Sequence, residues 1–259
     1  MELPIFQVDA FTGRLFGGNP AAVVLLPQWL PDETLQAIAA ENNLAETAFV
    51  VPLQGVFGLR WFTPKVEVDL CGHATLGSAH VLFNHGYAAP PEIVFRYQGG
   101  TLTVTQAGEL LAMRFPARPP QRAQCDAAMV AALGATPREV HRARDLLAVF
   151  DTQQEVEDLR PDFQAIALLD TFAVMASAPG KDCDFVSRFF APRAGIPEDP
   201  ATGSSHCTLV PYWSARLSKQ RLHALQLSRR RGELFCENQG QWVQIAGHAV
   251  EYLRGHISL

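Results

Sequence analysis

Short runs rich in β-branched and aromatic residues, separated by Gly, Pro and Asn, recur along the whole chain. Such runs are typical of β-strands. In the first half they are LPIFQVDAF, AAVVLL, ETAFVVPL, FGLRWFT, EIVFRY, TLTVTQ and LLAMRF. In the second half they are LLAVF, AIALLD, FAVMAS, DFVSRFF, LHALQLS, ELFCEN and QWVQIAG. The pattern predicts an α+β protein in which strands dominate.

Three segments carry a helical pattern instead. Residues 32–42 place apolar side chains on one face, and Asp32 is the predicted N-cap. Two more helices are predicted to begin near Ala74 and near Ser204, each directly after a strand and a turn. The helices are therefore few, and each follows a turn.

The two halves of the chain share a short repeat. Residues 60–64 (RWFTP) and 188–192 (RFFAP) have Arg, an aromatic residue, Phe and Pro at an offset of 128. The repeat predicts two similar halves, each a strand-rich shell around one helix. Prolines 116, 119 and 120 interrupt strand and helix alike. We therefore predict one domain over residues 1–117 and a second over residues 118–259.

Composition and charge exclude several classes of function. The chain has 259 residues and a net charge of −5, and its one dense basic cluster is Arg229–Arg231, which argues against nucleic-acid binding. No stretch approaches the roughly 18 apolar residues of a membrane span, and the N-terminus lacks an export signal. Five scattered cysteines without a C-x-x-C pair favour reduced thiols in the cytoplasm. We expect a cytoplasmic protein that binds neither membrane nor nucleic acid.

The predicted helix starts near Ala74 and Ser204 favour an anionic ligand. The first turn of a helix has unpaired N–H groups and the positive end of the helix dipole. Small residues at both starts let the backbone approach a ligand closely. If the halves are related by a pseudo-two-fold axis, both helix starts face one cleft. We therefore expect a small carboxylate-bearing substrate in that cleft.

Four motifs resemble the PhzF family, the phenazine-biosynthesis-type isomerases. They are GNPAAVV (18–24), NLAETAFV (43–50), DLCGHATLGSAHVLF (69–83) and EDPATGSSHC (198–207), in the family's order and spacing. The resemblance spans most of the chain. It implies the diaminopimelate-epimerase-like fold, in which two similar domains each curl a sheet around a central helix. The last strand, AVEYL, is expected to return to the first domain in such a fold, although the sequence leaves this open.

The family resemblance also implies an activity. Family proteins use no cofactor, and the best-known activity isomerises trans-2,3-dihydro-3-hydroxyanthranilate by moving a proton between ring carbons, in a cleft between the domains. A biosynthetic role is expected on the same ground, and a homodimer is left open.

The same resemblance assigns roles to individual residues. Glu46 matches the general acid/base, His73 the histidine of G-H-A-T, and Asp199 the aspartate of D-P-x-T-G-S. These three are the predicted catalytic residues. The predicted substrate-binding residues are Asn19, Gly72, Ala74, Gly203 and Ser204.

The chemistry of these residues leaves alternatives open. Partial burial beside Phe49 is expected to raise the pKa of Glu46 toward the operating pH, which suits a group that accepts and returns a proton. A surface glutamate after a helix is the structural alternative for Glu46, and a helix N-cap is the alternative for Asp199.

Two other functions compete with the isomerase hypothesis. Racemases and epimerases of this fold use two thiols on opposite faces of a carbon. Cys71 occupies one such position, but at offset 128 its counterpart is Asp199, so we expect Cys71 to be a small buried residue beside the site. The other alternative is a member that binds a metabolite or protein without turnover. No dinucleotide turn, P-loop or metal-ligand pattern appears, so we expect neither cofactor nor metal.

Overall fold

The computed structural model describes residues 1–259, and the chain divides into two compact units. Unit 1 comprises Met1–Arg114 and Ala246–Leu259, and unit 2 comprises Phe115–Ile245. As boundaries of independently folding domains, the ranges 1–117 and 118–259 stay a prediction.

Unit 1 is built from strands and two helices. The helices are α1 (Asp32–Asn42) and α2 (Gly72–Asn84). The strands are β1 (Glu2–Ala10), β2 (Asn19–Leu25), β3 (Glu46–Pro52), β4 (Phe57–Phe62), β5 (Glu67–Val68), β6 (Glu92–Tyr97), β7 (Gly100–Ala107), most of β8 (Leu110–Pro116) and, from the C-terminus, β17 (Ala249–Ser258). Strand β17 pairs antiparallel with β1, from Glu2 opposite Ser258 to Ala10 opposite Ala249.

Unit 2 has more helical segments. Its helices are α3 (Ala127–Leu133), α4 (Gln153–Asp158), α5 (Phe163–Leu168) and α6 (His206–Leu217), with 3-10 helices at Pro192–Ala194 and Gly203–Ser205. Its strands are β9 (Gln121–Ala123), β10 (Glu139–Arg142), β11 (Leu146–Val149), β12 (Val174–Pro179), β13 (Phe185–Phe190), β14 (Arg221–Gln226), β15 (Gly232–Asn238) and the first part of β16 (Trp242–Gly247).

The two units share one order and direction of strand pairing. In unit 1, β1 and β2 are antiparallel, β2 and β3 parallel, β3 and β4 antiparallel, β4 and β6 parallel, and β6 and β7 antiparallel. In unit 2, strands β10 to β15 repeat this series in chain order. Strands β4 and β13 start and end at the offset of 128 read from the sequence. The sequence repeat therefore reflects a structural repeat.

The repeated arginines make the same contacts in each unit. Arg60 forms two hydrogen bonds to the carboxylate of Glu67, both 2.7 Å long, and Arg188 forms two to Glu198, of 2.7 and 2.9 Å. Each guanidinium also lies over the aromatic ring two residues later, Phe62 at 5.1 Å and Phe190 at 5.0 Å. The repeat thus preserves a tertiary contact, because the arginine and its acidic partner lie on different segments.

A small-residue helix lies in the core of unit 1. Most residues of α2 are buried, and it packs against β1, β2 and β3. A Cβ added at Gly77 would lie 3.5 Å from Val8, so the small residues let helix and sheet approach closely.

In unit 2, Trp213 of α6 stacks on Phe185 at 5.7 Å and donates a hydrogen bond to Ser177. No helix is both long enough and apolar enough to cross a membrane.

Two local predictions were wrong. The segment AIALLD, predicted as a strand, lies largely in α5, where the carboxylate of Asp162 caps the backbone N–H groups of Gln164 and Ala165. Ile166 is buried while Leu168 is 85% exposed, so the apolar run serves one helix face rather than a buried strand. Helix α1 has the predicted range, but its N-cap is Pro31, and Asp32 instead pairs with Arg60 at 2.9 Å.

The loop between β1 and β2 requires glycine at position 18. Gly18 has a φ of +54°, and a Cβ there would lie 2.0 Å from the carbonyl oxygen of Ala10. We expect Gly18→Ala to lower the free energy of unfolding by about 2 kcal/mol, because the backbone must shift. Gly13→Ala in the same loop, whose Cβ would meet only His248 at 4.0 Å, should change it by less than about 0.5 kcal/mol. Urea unfolding compares the two variants, and equal midpoints would contradict this account.

Candidate active site

Strands β2 and β3 and helix α2 of unit 1 begin close to one another. Asn19 is the first residue of β2, and Glu46 is the first residue of the parallel neighbour β3. Ala21 pairs with Glu46, so the amino ends of both strands lie at the same edge of the sheet. Cys71 is the N-cap of α2 and directly precedes Gly72 and His73. Parallel pairing and the start of the buried helix thus bring distant parts of the sequence together.

The side chains at this place form a buried polar cluster. The amide Nδ2 of Asn19 is 3.2 Å from Nδ1 of His73, and Nε2 of His73 is 3.1 Å from Oε2 of Glu46. The Sγ of Cys71 lies 3.5 Å from Nδ1 and 3.9 Å from Nε2 of the same ring. Asn19 is fully buried, Cys71 and His73 are nearly so, and the Glu46 side chain is 13% exposed. His73 therefore has Asn19 at Nδ1 and the Glu46 carboxylate within ion-pair distance of Nε2.

The electrostatic interaction between Glu46 and His73 corrects the prediction that the pKa of Glu46 is raised. Burial by itself raises the pKa of Glu46, but the charge and hydrogen bond of His73, with a hydrogen bond from Cys71, hold it below its usual 4.5. Burial lowers the pKa of His73, yet the adjoining Cys71 and Glu46 raise it well above 6.5. The predicted rise in the pKa of Glu46 was therefore wrong, because it considered burial without the histidine.

Cys71 stays a thiol beside this ion pair. Burial raises the pKa of Cys71, and the negative charge of Glu46 raises it further, against smaller opposing contributions from His73 and the backbone of Ala74. At ordinary pH the thiol is therefore neutral and supports the charge of His73 only through its hydrogen bond, while Glu46 supplies the negative charge. The sequence placed Cys71 beside the site but gave no sign of its direct contact with the histidine ring.

The ion pair predicts a pH window of stabilisation. The pKa of Glu46 is lowered, so its contribution is present above pH 4.5 and is lost as the pH falls through the folded-state value. The pKa of His73 is raised, so its contribution is present below pH 6.5 and is lost as the pH rises through the folded-state value. We expect the stability difference between the parent and Glu46→Gln to be largest from pH 4.5 to 6.5. Urea unfolding over a pH series measures it, and a difference that does not vary with pH would contradict the pair.

The predicted site residues of unit 2 lie on one segment, which side-chain hydrogen bonds hold in place. The carboxylate of Asp199 accepts a hydrogen bond from the hydroxyl of Thr202, and Thr202 is the N-cap of the 3-10 helix Gly203–Ser205. The buried side chain of Gln226 accepts from the N–H of Thr202 at 2.8 Å and donates to the carbonyl of Asp199 at 2.7 Å. The alternative reading of Asp199 as a helix N-cap was therefore wrong. Gln226 was missed, since a lone Gln in a strand carries no sequence signal.

The position of unit 2 that corresponds to Cys71 does not carry a thiol. Cys71 precedes Gly72, the first residue of α2, and Thr202 precedes Gly203, the first residue of the corresponding 3-10 helix. By the offset of 128 the counterpart of Cys71 is Asp199, and by position before a helix start it is Thr202, so neither candidate is a thiol. Cys207 lies within α6 and is buried. No second thiol occupies the position that a two-thiol racemase would need.

The structure brings together part of the predicted site. Asn19, Glu46 and His73 are in contact in unit 1, with half-buried Gly72 and buried Ala74 in the same helix turn as His73. In unit 2, Asp199, Gly203 and half-buried Ser204 share the segment held by Gln226. That all eight residues serve one substrate stays a prediction.

Solved structures of other proteins have the same fold. A PhzF-family phenazine biosynthesis protein from Enterococcus faecalis superposes with a TM-score of 0.98 at 44% identity, over 100% of both chains. A hydroxyproline epimerase from Agrobacterium vitis superposes with a TM-score of 0.63 at 12% identity, over 100% of this chain and 93% of its own. The second likeness concerns the fold alone. The predicted α+β, diaminopimelate-epimerase-like fold class is confirmed.

Curated relatives cover the whole chain. A protein of Pseudomonas aeruginosa named as an uncharacterized isomerase is 49% identical over 100% of both chains. A phenazine biosynthesis-like domain-containing protein of Homo sapiens is 37% identical, again over 100% of both. Fold and relatives define an isomerase with an epimerase-like fold. The model of the PhzC-PhzF family, described as phenazine biosynthesis-like protein, matches residues 8–255, and the chain belongs to this family.

Proposed function

We propose that this isomerase moves a proton between two carbons of a small carboxylate substrate, with Glu46 as the group that takes and returns the proton. The observation that carries the proposal is the buried contact of 3.1 Å between Glu46 and His73. It keeps the carboxylate ionised and therefore able to accept a proton. A carboxylate in a fixed position can act as base and then as acid in one cycle.

The positive charge of His73 favours the return of the proton from Glu46 to the substrate. When Glu46 takes a proton from carbon it becomes neutral, and His73 loses the negative charge that stabilises its own positive charge. The protonated state of Glu46 is therefore raised in free energy, which favours giving the proton back to the substrate. Because the lowered pKa makes Glu46 a weak base, the substrate C–H bond must already be acidified by conjugation.

The other residues of the cluster are proposed to position this pair. With His73 protonated, the fully buried Asn19 amide presents its oxygen to the Nδ1–H group, and this contact directs Nε2 toward Glu46. Gly203 and Ser204, with Gly72 and Ala74 at the start of α2, are proposed to bind the substrate carboxylate through backbone N–H groups. Asp199 is proposed as a third catalytic residue, as the family resemblance implies. The hydrogen bonds from Gln226 to this loop support the carboxylate site, since a preorganised backbone binds an anion at a lower entropic cost.

Exchange of substrate hydrogen with solvent tests the proposal. The protein is incubated in D₂O with trans-2,3-dihydro-3-hydroxyanthranilate and with a panel of cyclic and amino-acid carboxylates, and each is followed by proton NMR. The proposal expects a change in double-bond position with deuterium at the receiving carbon. Inversion at a single Cα would instead support a racemase or epimerase, and binding without exchange would support a non-catalytic member.

Further proposals concern cofactor use, cellular role, location and assembly. We propose that the protein works without a cofactor, that it has a biosynthetic role, and that it is a cytoplasmic homodimer. Light scattering during size-exclusion chromatography tests the oligomeric state. A monomer at micromolar concentration would contradict the homodimer.

A further inference from the structure

Three side chains of unit 1 offer metal-binding atoms at close range. The ligand atoms of Glu46, Cys71 and His73 all lie within 4.8 Å of one another. Around a tetrahedral Zn²⁺, ligand atoms lie about 3.3 to 3.6 Å apart, which follows from bonds of about 2.0 to 2.3 Å. The Nε2 of His73 is 3.1 Å from Oε2 of Glu46 and 3.9 Å from Sγ of Cys71. Rotation of the Cys71 side chain is the adjustment that would direct all three atoms to one ion.

We propose that Glu46, Cys71 and His73 bind a thiophilic divalent cation of the Zn²⁺ class, and that the bound ion inhibits the isomerase. A thiolate, an imidazole and a carboxylate form a donor set that suits Zn²⁺ and Co²⁺, whereas Mg²⁺ and Ca²⁺ take mainly oxygen ligands. Three protein ligands leave the fourth position for water, as in other three-ligand zinc sites.

The surroundings of the cluster support binding at Nε2. The Asn19 amide contacts Nδ1 of His73, and an amide presents either its N–H₂ or its carbonyl oxygen to a ring nitrogen. With the ion on Nε2, the carbonyl accepts from Nδ1–H and orients the ring, as a neighbour of a metal-bound histidine commonly does. Cys71 and His73 are 6% and 7% exposed, so little water competes for the ligand atoms.

Inhibition follows from the place of the ion. An ion bound to Glu46 neutralises the carboxylate that would accept the substrate proton. Its binding releases the thiol proton of Cys71 and the Nε2 proton of His73 to solvent, which leaves the thiolate and the neutral imidazole that ligate the ion. This consequence rests on the proposed function, whereas binding of the ion does not. The ion is therefore expected to act against turnover and not as a required cofactor.

Titration with Co²⁺ alone tests the site. The metal-free parent is expected to develop visible absorption of tetrahedral Co²⁺ and a thiolate-to-cobalt charge-transfer band, and added Zn²⁺ should remove both. Cys71→Ala should abolish the charge-transfer band and weaken binding at least about 100-fold, since changes one shell further out already cost 10- to 100-fold. Cys125→Ser, which removes an exposed thiol, should bind like the parent. Circular dichroism verifies that each variant is folded.

Three results would contradict the proposed metal site. The parent spectrum could lack a thiolate-to-cobalt band, the Cys71→Ala spectrum could equal that of the parent, or Mg²⁺ could displace Co²⁺ as readily as Zn²⁺ does. Failure here is distinguishable from failure of the proposed function. If Co²⁺ binds as expected while no carboxylate exchanges hydrogen, the metal site stands and the proton-transfer proposal falls. If the parent isomerises a carboxylate but Zn²⁺ binds without slowing it, the inhibitory part is wrong.

Discussion

Glu46→Gln is expected to reduce turnover of an isomerised carboxylate at least about 100-fold, the usual minimum effect of removing a general acid/base. Gln has nearly the same shape as Glu but cannot take a proton from carbon. The fold should survive, because His73 can lose its proton when its charged partner disappears. Deuterium incorporation by NMR in D₂O measures the rate, and circular dichroism measures the folded fraction.

A second glutamate provides the matched control for this experiment. Glu41 is exposed on α1, five residues before Glu46 in the sequence, and has no place in the cluster. Glu41→Gln should turn over substrate at the parent's rate. Equal rates for the parent and a folded Glu46→Gln would remove Glu46 from the mechanism, and a loss shared by both variants would point to a general effect of the substitution.

Arg188→Met is expected to lower the free energy of unfolding by about 3 kcal/mol, the lower end of the range for breaking a buried ion pair. The Arg188 and Glu198 side chains are 12% and 19% exposed, and Arg188 also donates to the carbonyl oxygens of Val156 and Leu159. Its removal leaves a largely buried carboxylate and two carbonyls without their donor. Urea unfolding, followed by fluorescence, measures the loss.

The repeat supplies the control, because Arg60 occupies the same position of the equivalent strand. Its acidic partners Asp32 and Glu67 are 77% and 35% exposed, so Arg60→Met should cost less than about 1 kcal/mol. A second substitution tests whether the unpaired, buried charge of Glu198 causes the loss of stability. Adding Glu198→Leu to Arg188→Met should recover part of the lost stability, since it removes the unpaired charge. Equal costs for the two arginines, or no recovery in the double variant, would contradict the importance of burial.

The fold was largely accessible from sequence. The arginine repeat predicted two similar halves, and β4 and β13 occupy corresponding places in them. Alternating apolar residues between Gly and Pro were enough to predict most strands, because the strand period is a local property. The segment AIALLD failed because a short apolar run is ambiguous, and the Asp162 cap decided for a helix.

Some residues of the candidate site were also predictable from sequence, and others were not. Family motifs predicted Glu46, His73 and Asn19, which the structure brings into contact. They could not predict Gln226, whose role depends on β14 passing the loop at Asp199.

The sequence by itself determined most of the strands and the repeat, and its motifs singled out Glu46 as the proposed proton carrier, because these depend on local pattern. Only the tertiary structure decided the protonation state of that residue. Burial alone raises the pKa of Glu46, and His73 reverses the direction from 3.1 Å away. That distance is set by the parallel pairing of β2 with β3 and by the packing of α2 against both. Electrostatic interactions depend on distances between segments remote in the chain, and local sequence does not contain those distances.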